Sequence, residues 1–195
     1  MKIQYAYTTD AGDRECNEDC VIAVENEKGY CFVVADGLGG HDRGEVASQT
    51  VCDAAAEYFA VAEVQDVAGI FEHAQELLLR RQESEHAVDE MKTTMNVVTL
   101  TRAGIQWGHI GDTRTYYFRK GKLVARTKDH SVPQMMVTMG EIKEKDIRHH
   151  EDRNRLLRVM GTEWDKPQYV METPVKLDKR QVFLLCTDGF WELIE

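Results

Sequence analysis

The chain has 195 residues, 43% of them hydrophobic and 30% charged, with 14 Gly and only 3 Pro. That balance excludes collagen-like, low-complexity and predominantly disordered chains, and the length suffices for a single domain, 1–195, with its own core. Lys and Arg total 24 against 34 Asp and Glu, a formal net charge of -10, which repels polyphosphate backbones and anionic lipid, so neither nucleic acid nor a membrane is an expected partner.

Residues 1–10 carry no apolar stretch long enough for a signal peptide or a membrane span, and a cytoplasmic setting is expected. Apolar runs at 21–24 and 30–35, separated by a polar stretch containing Gly29, predict a β-hairpin. After the glycine-rich 37–44, Ala47, Val51, Ala54, Ala55, Tyr58 and Ala62 mark one helical stripe, and Val67, Ile70, Phe71, Ala74, Leu77 and Leu78 a second. Runs rich in β-branched and aromatic residues at 96–101, 105–110, 115–118 and 123–127, broken by Ala103-Gly104, Gly111-Asp112 and Lys120-Gly121, predict an antiparallel meander. The charged, irregular 131–166 reads as an insertion or mobile flap, with His149-His150 on its surface. Strands at 169–175 and 181–186 and a helical turn from 190 follow. The order is that of an α+β fold, antiparallel sheets with a helical pair on one face, and no repeat or linker divides it. Cys16, Cys20, Cys31, Cys52 and Cys186 are odd in number and form no C-x-x-C pair, so they read as core or incidental thiols.

Acidic residues fall where strands should end. Asp36 opens Asp36-Gly37-Leu38-Gly39-Gly40-His41, Asp188 opens Asp188-Gly189, Asp112 sits in Gly111-Asp112-Thr113-Arg114, and Glu18-Asp19 precedes the first strand. One Asp-Gly alone makes a turn. Several together, beside glycines that let carbonyls and water approach, form the hard oxygen donor set that suits Mg²⁺ or Mn²⁺. A dinucleotide site at 35–48 fails on spacing, because Gly37, Gly39, Gly40 and Gly44 do not give G-x-G-x-x-G and Asp36 would oppose the pyrophosphate. No cysteine has Arg six positions on, and Ser48, Ser84 and Ser131 lie in no G-x-S-x-G, which excludes cysteine-phosphatase and serine-hydrolase motifs. His41-Asp42 lies in a glycine-rich turn rather than a helix, a poor match to hydrolases built on that dipeptide.

Thr9-Asp10-Ala11-Gly12-Asp13-Arg14-Glu15-Cys16-Asn17-Glu18-Asp19, Val34-Ala35-Asp36-Gly37-Leu38-Gly39-Gly40-His41 with Gly44-Glu45, Gly111-Asp112-Thr113-Arg114, Thr127-Lys128-Asp129-His130-Ser131 and Thr187-Asp188-Gly189-Phe190-Trp191 occur in a telling order. It is that of the metal-dependent PPM (PP2C-type) protein phosphatases, and the chain resembles their bacterial branch along nearly its whole length. The resemblance implies a β-sandwich of two antiparallel sheets flanked by helices, which hydrolyses phosphoserine and phosphothreonine in proteins with a metal-activated water. It implies two Mn²⁺ or Mg²⁺ ions. On that basis Asp36 matches the carboxylate bridging both, Gly37 a carbonyl donor, Asp188 a ligand of the second ion, and Glu18 and Asp19 the acidic pair that organises water. Asp112 matches the ligand of a third, weaker metal. Arg14 matches the phosphate-binding arginine, whose guanidinium fork suits two phosphoryl oxygens, and with Asp36 makes the catalytic pair. Leu38 stands where the eukaryotic branch has a histidine general acid, with His41 a nearby candidate. The implied partners are a phosphoprotein substrate and a cognate serine/threonine kinase pathway; oligomeric state is left open. The family continues to a last strand carrying Asp-Asn, so a C-terminally incomplete domain is expected, with a catalytically impaired, phosphatase-like phosphopeptide-binding or regulatory protein as the second reading.

Overall fold

The computed structural model describes residues 3–38, 43–64, 66–88 and 90–194. The hairpin forms as expected: β1 (Asp19–Asn26) pairs antiparallel with β2 (Gly29–Leu38), with Asp19 opposite Asp36. Its turn requires glycine, because Gly29 has φ +143 and a Cβ there would lie 2.0 Å from the Leu100 carbonyl oxygen. The two apolar stripes become α1 (Gly44–Val61) and α2 (Val67–Ser84), the second capped by Asp66, whose carboxylate accepts from the Gly69 N–H at 2.7 Å. Both helices cover one face of the sheet, where Val51, Phe59, Ile70, Phe71 and Leu78 pack with Cys31, Val33 and Val97 in one buried core. Each such side chain contributes roughly 1.5–3 kcal/mol by leaving water.

The larger sheet runs β1-β2-β4-β5-β8, using β4 (Met95–Thr101), β5 (Gly104–Ile110) and β8 (Val170–Met171), and β3 (Lys92–Thr93) also pairs with β2. The smaller sheet runs β7-β6-β9, from β6 (Arg114–Arg119), β7 (Lys122–Arg126) and β9 (Gln181–Cys186). The expected four-stranded meander is therefore two hairpins in different sheets. Residues 111–113 carry the chain across, and Gly111 makes the turn possible: it has φ +99, and a Cβ there would sit 2.5 Å from the Thr94 methyl. The sheets face each other through a second core of Val98, Ile105, Trp107 and Tyr117, with the Trp107 ring 5.2 Å from that of Phe183. This is the β-sandwich.

The expected strand at 169–175 shortens to β8 and one bridge between Val175 and Ile105. The last helix, α4 (Asp188–Ile194), starts earlier than the expected turn because the Phe190 and Trp191 N–H groups both donate to the Thr187 carbonyl. The flap segment 131–166 holds α3 (Val132–Met139), capped by the Ser131 hydroxyl, and a 3-10 turn (Glu144–His149) whose Ile147 packs with Tyr116, Cys186 and Trp191. Gln75 and Gln82 of α2 hold its far end through Gly161 and Thr162. Cys16 is exposed, and Cys20, Cys31, Cys52 and Cys186 are buried. Among the described residues, no helix is long and apolar enough to cross a membrane.

Candidate metal and phosphate site

The hairpin register sets Asp19 and Asp36 side by side at one end of the larger sheet. The backbone of Asp36 is locked by two threonines. Its N–H donates to Thr94 Oγ1 at 2.9 Å, and its carbonyl accepts from the Thr94 N–H and the Thr93 hydroxyl, each at 2.8 Å. Thr94 Oγ1 also lies 2.6 Å from Thr113 Oγ1, so the end of β2 is tied to the crossover that carries Asp112. Glu18 is fixed through its carbonyl, which accepts from the Gly37 N–H at 3.0 Å and the Ser48 hydroxyl at 2.6 Å. Two glycines make this packing possible. A Cβ on Gly37 would lie 2.2 Å from the Gly44 carbonyl oxygen, and one on Gly44 would lie 2.6 Å from Glu18 Oε1.

Asp188 opens α4, and the residue before it reaches back to β1: the Thr187 hydroxyl donates to Asp19 Oδ2 at 2.9 Å. The electrostatics report the convergence. Burial, then the charges of Asp188, Asp19 and Asp112, push the Asp36 carboxyl up to about 9, with Arg14 opposing. Burial and then Asp188 and Asp129 raise Asp112; burial, then Asp188, raise Asp19 against the Thr187 hydrogen bond. Four carboxylates from separate segments thus repel one another across one site, the condition that a bound cation relieves. Among the described residues, no three His, Cys, Asp or Glu side chains stand close enough together to hold an ion by themselves. The all-oxygen donors, with the Gly37 carbonyl beside them, fit a hard divalent ion that keeps several waters.

Arg14 stands at the mouth, its side chain 65% exposed, with Nη1 3.5 Å from Glu18 Oε2. Its charge lowers both Asp19 and Asp36, which places it within electrostatic reach of the acidic cluster. All seven expected site residues thus belong to one end of the sandwich, whereas His41 lies outside the described residues.

The supporting residues were not anticipated. Arg114 grips Asp129 with Nε to Oδ1 at 2.9 Å and Nη2 to Oδ2 at 2.7 Å, both side chains 1% exposed. His130 joins the same two segments, its N–H donating to the Gly111 carbonyl at 2.9 Å while its Nδ1 accepts from the Gly111 N–H at 3.2 Å. It stacks on His109 with ring centroids 4.7 Å apart, and burial holds it neutral, down to about 3. One signal was available: charged residues placed directly against an apolar β-run, which are buried only when paired.

The family model described as Protein phosphatase 2C matches residues 9–194. The chain belongs to the protein phosphatase 2C family. The serine/threonine phosphatase stp of Listeria welshimeri is 30% identical over 198 residues, covering 96% of this chain and 78% of that protein. The serine/threonine protein phosphatase PstP of Mycobacterium tuberculosis is 31% identical over 194 residues, covering 97% of this chain and 36% of that protein. The fold is similar to the crystal structure of M. tuberculosis PstP, with TM-score 0.79 at 29% identity over 97% of this chain and 80% of that one. It is similar also to the PstP catalytic domain solved with two manganese ions, with TM-score 0.78 at 29% identity over 97% of this chain and 79% of that one. In this 2C-type chain the matched range contains every segment that brings a carboxylate to the site.

Proposed function

We propose that residues 1–195 act as one phosphatase domain that hydrolyses phosphoserine and phosphothreonine in proteins through a divalent-cation site. The observation that carries the reading is the convergence of Asp19, Asp36, Asp112 and Asp188 at one end of the sandwich, with burial and mutual repulsion raising Asp36. Asp36 and the Gly37 carbonyl, Asp188, and the Glu18-Asp19 pair would hold two ions, manganese by likeness to PstP, and Asp112 with Asp188 a weaker third. The chemistry such ions supply is water activation at neutral pH and neutralisation of phosphoryl charge.

The protein side of the reaction is orientation. Arg14 offers its guanidinium fork to two phosphoryl oxygens and turns the phosphate toward Asp36. Asp19, steadied by Thr187, and Glu18, steadied by Ser48, align the attacking water by accepting its protons in hydrogen bonds. No protein nucleophile is needed, because in-line attack on phosphorus depends on positioning and charge compensation. A groove of about 420 Å³ beside Leu38, lined also by Lys92, Leu157 and Arg158, would receive residues flanking the phosphorylated side chain. Phosphoproteins of a serine/threonine kinase pathway in the cytoplasm are the substrates that fit this reading. The test is phosphate release from a phosphothreonine peptide across a Mn²⁺ titration. Saturable release that Asp36→Asn abolishes supports the proposal, and equal rates with and without metal overturn it.

A further inference from the structure

Trp191 is 2% exposed, and three segments meet on it. Its indole Nε1–H donates to the Asp112 carbonyl at 3.1 Å. The Arg114 guanidinium lies over its ring, 3.4 Å from the centroid, and is itself clamped by Asp129. Its backbone N–H donates to the carbonyl of Thr187, whose hydroxyl holds Asp19. The helix that carries it opens with Asp188.

Asp112 lies between β5 and β6, outside both strand ladders; Gly111 and Thr113 on either side are tied to His130 and Thr94, and the indole bond holds the backbone of Asp112 itself. Such a restraint matters because both carboxylates must face one cation, and a crossover free to drift from α4 would have to be ordered at the moment of binding. Arg114, over the ring, fixes the indole in place, and burial strengthens that cation–π attraction. Phenylalanine would keep the ring but lose the donor.

We propose that Trp191 is a positioning residue that holds Asp112 at a preset separation from Asp188 and thereby sets the affinity for the divalent cation these two carboxylates share. The proposal rests on the metal reading of these carboxylates given above. It assigns to a tryptophan that touches neither substrate nor ion the preorganisation of the weaker site.

The test is a calorimetric Mn²⁺ titration of the full chain in three forms: wild type, Trp191→Phe, and a chain with Trp191 replaced by β-(3-benzothienyl)alanine. That last side chain has the same shape with sulfur in place of N–H, so only the hydrogen bond is removed. Both replacements are expected to weaken the weaker class of Mn²⁺ sites about tenfold, equivalent to about 1.4 kcal/mol, and to leave the tighter class within about twofold. The Mn²⁺ concentration for half-maximal phosphate release should rise in step, while KM for the phosphopeptide stays constant. The metal-free melting temperature of the benzothienyl form should stay within about 4 °C of wild type, since one neutral hydrogen bond contributes about 1 kcal/mol. Unchanged affinity in both classes would overturn the proposal, as would parallel weakening of all sites with a lowered metal-free melting temperature, the mark of a purely structural tryptophan. A wild type that takes up no Mn²⁺ would instead overturn the metal reading beneath it.

Discussion

Replacing Arg114 with methionine tests whether the buried pair behind the site is a structural requirement. Both side chains of the Arg114–Asp129 pair are 1% exposed, and two hydrogen bonds of 2.9 and 2.7 Å join them. Removing one partner of such a pair costs roughly 3–5 kcal/mol, because the other is left as an uncompensated buried charge. Arg126 moderates the loss here: its Nη1 lies 3.7 Å from Asp129 Oδ1, and only 11% of its side chain is exposed. Arg114→Met should therefore fall at the low end, about 3 kcal/mol. At roughly 2–4 °C per kcal/mol for a domain of this size, the melting temperature should drop by about 6–12 °C in a circular-dichroism melt. The double replacement Arg114→Met with Asp129→Leu should recover most of that, since an apolar pair carries no desolvation penalty. Glu76→Gln is the control, because the Arg80–Glu76 pair is 68% and 56% exposed and should shift melting by no more than about 2 °C. An Arg114→Met melt within 2 °C of wild type, or a double variant weaker than the single, would refute the reasoning.

Two further outcomes are expected. Arg14→Ala should raise KM for a phosphothreonine peptide by roughly tenfold, the loss of one charge-assisted phosphate contact, and leave Mn²⁺ affinity within about twofold; steady-state kinetics beside calorimetry would show it, and an unchanged KM would remove Arg14 from phosphate binding. His130 is held neutral by burial, down to about 3 from an ordinary 6.5, so the unfolded chain binds the extra proton first. The stability this group contributes is complete above pH 6.5 and is lost as the pH falls toward 3. His130→Asn should flatten that part of the stability profile in urea titrations, and an unaltered slope would contradict the assignment.

The elements that local pattern specifies were legible before the structure. Alternating and apolar runs marked β1, β2 and β9, and the 3.6-residue stripes marked α1 and α2, because each depends on faces that a short window reveals. Periodicity reports faces rather than partners, and so β4 to β7 read as one meander although Gly111 sends the chain to a second sheet. The candidate carboxylates were legible for a related reason. Asp36, Asp112 and Asp188 each follow an apolar run, where a strand end delivers a side chain to the mouth of a sheet. What could not be read is how they are held. Thr187 reaches Asp19 across 168 residues, Trp191 reaches Asp112 across 79, and Arg114 reaches Asp129 across 15. No local pattern encodes those distances, and the motifs that contain these residues did not say which of them would meet.

The most direct test of the central claim is to follow Mn²⁺ uptake by calorimetry and phosphate release from a phosphothreonine peptide on the same samples of wild type and Asp36→Asn. Wild type should bind Mn²⁺ and release phosphate over the same concentration range, and Asp36→Asn should remain folded but lose both the tightest binding and the turnover. Wild type that binds Mn²⁺ without releasing phosphate, or Asp36→Asn that keeps wild-type turnover, would contradict it.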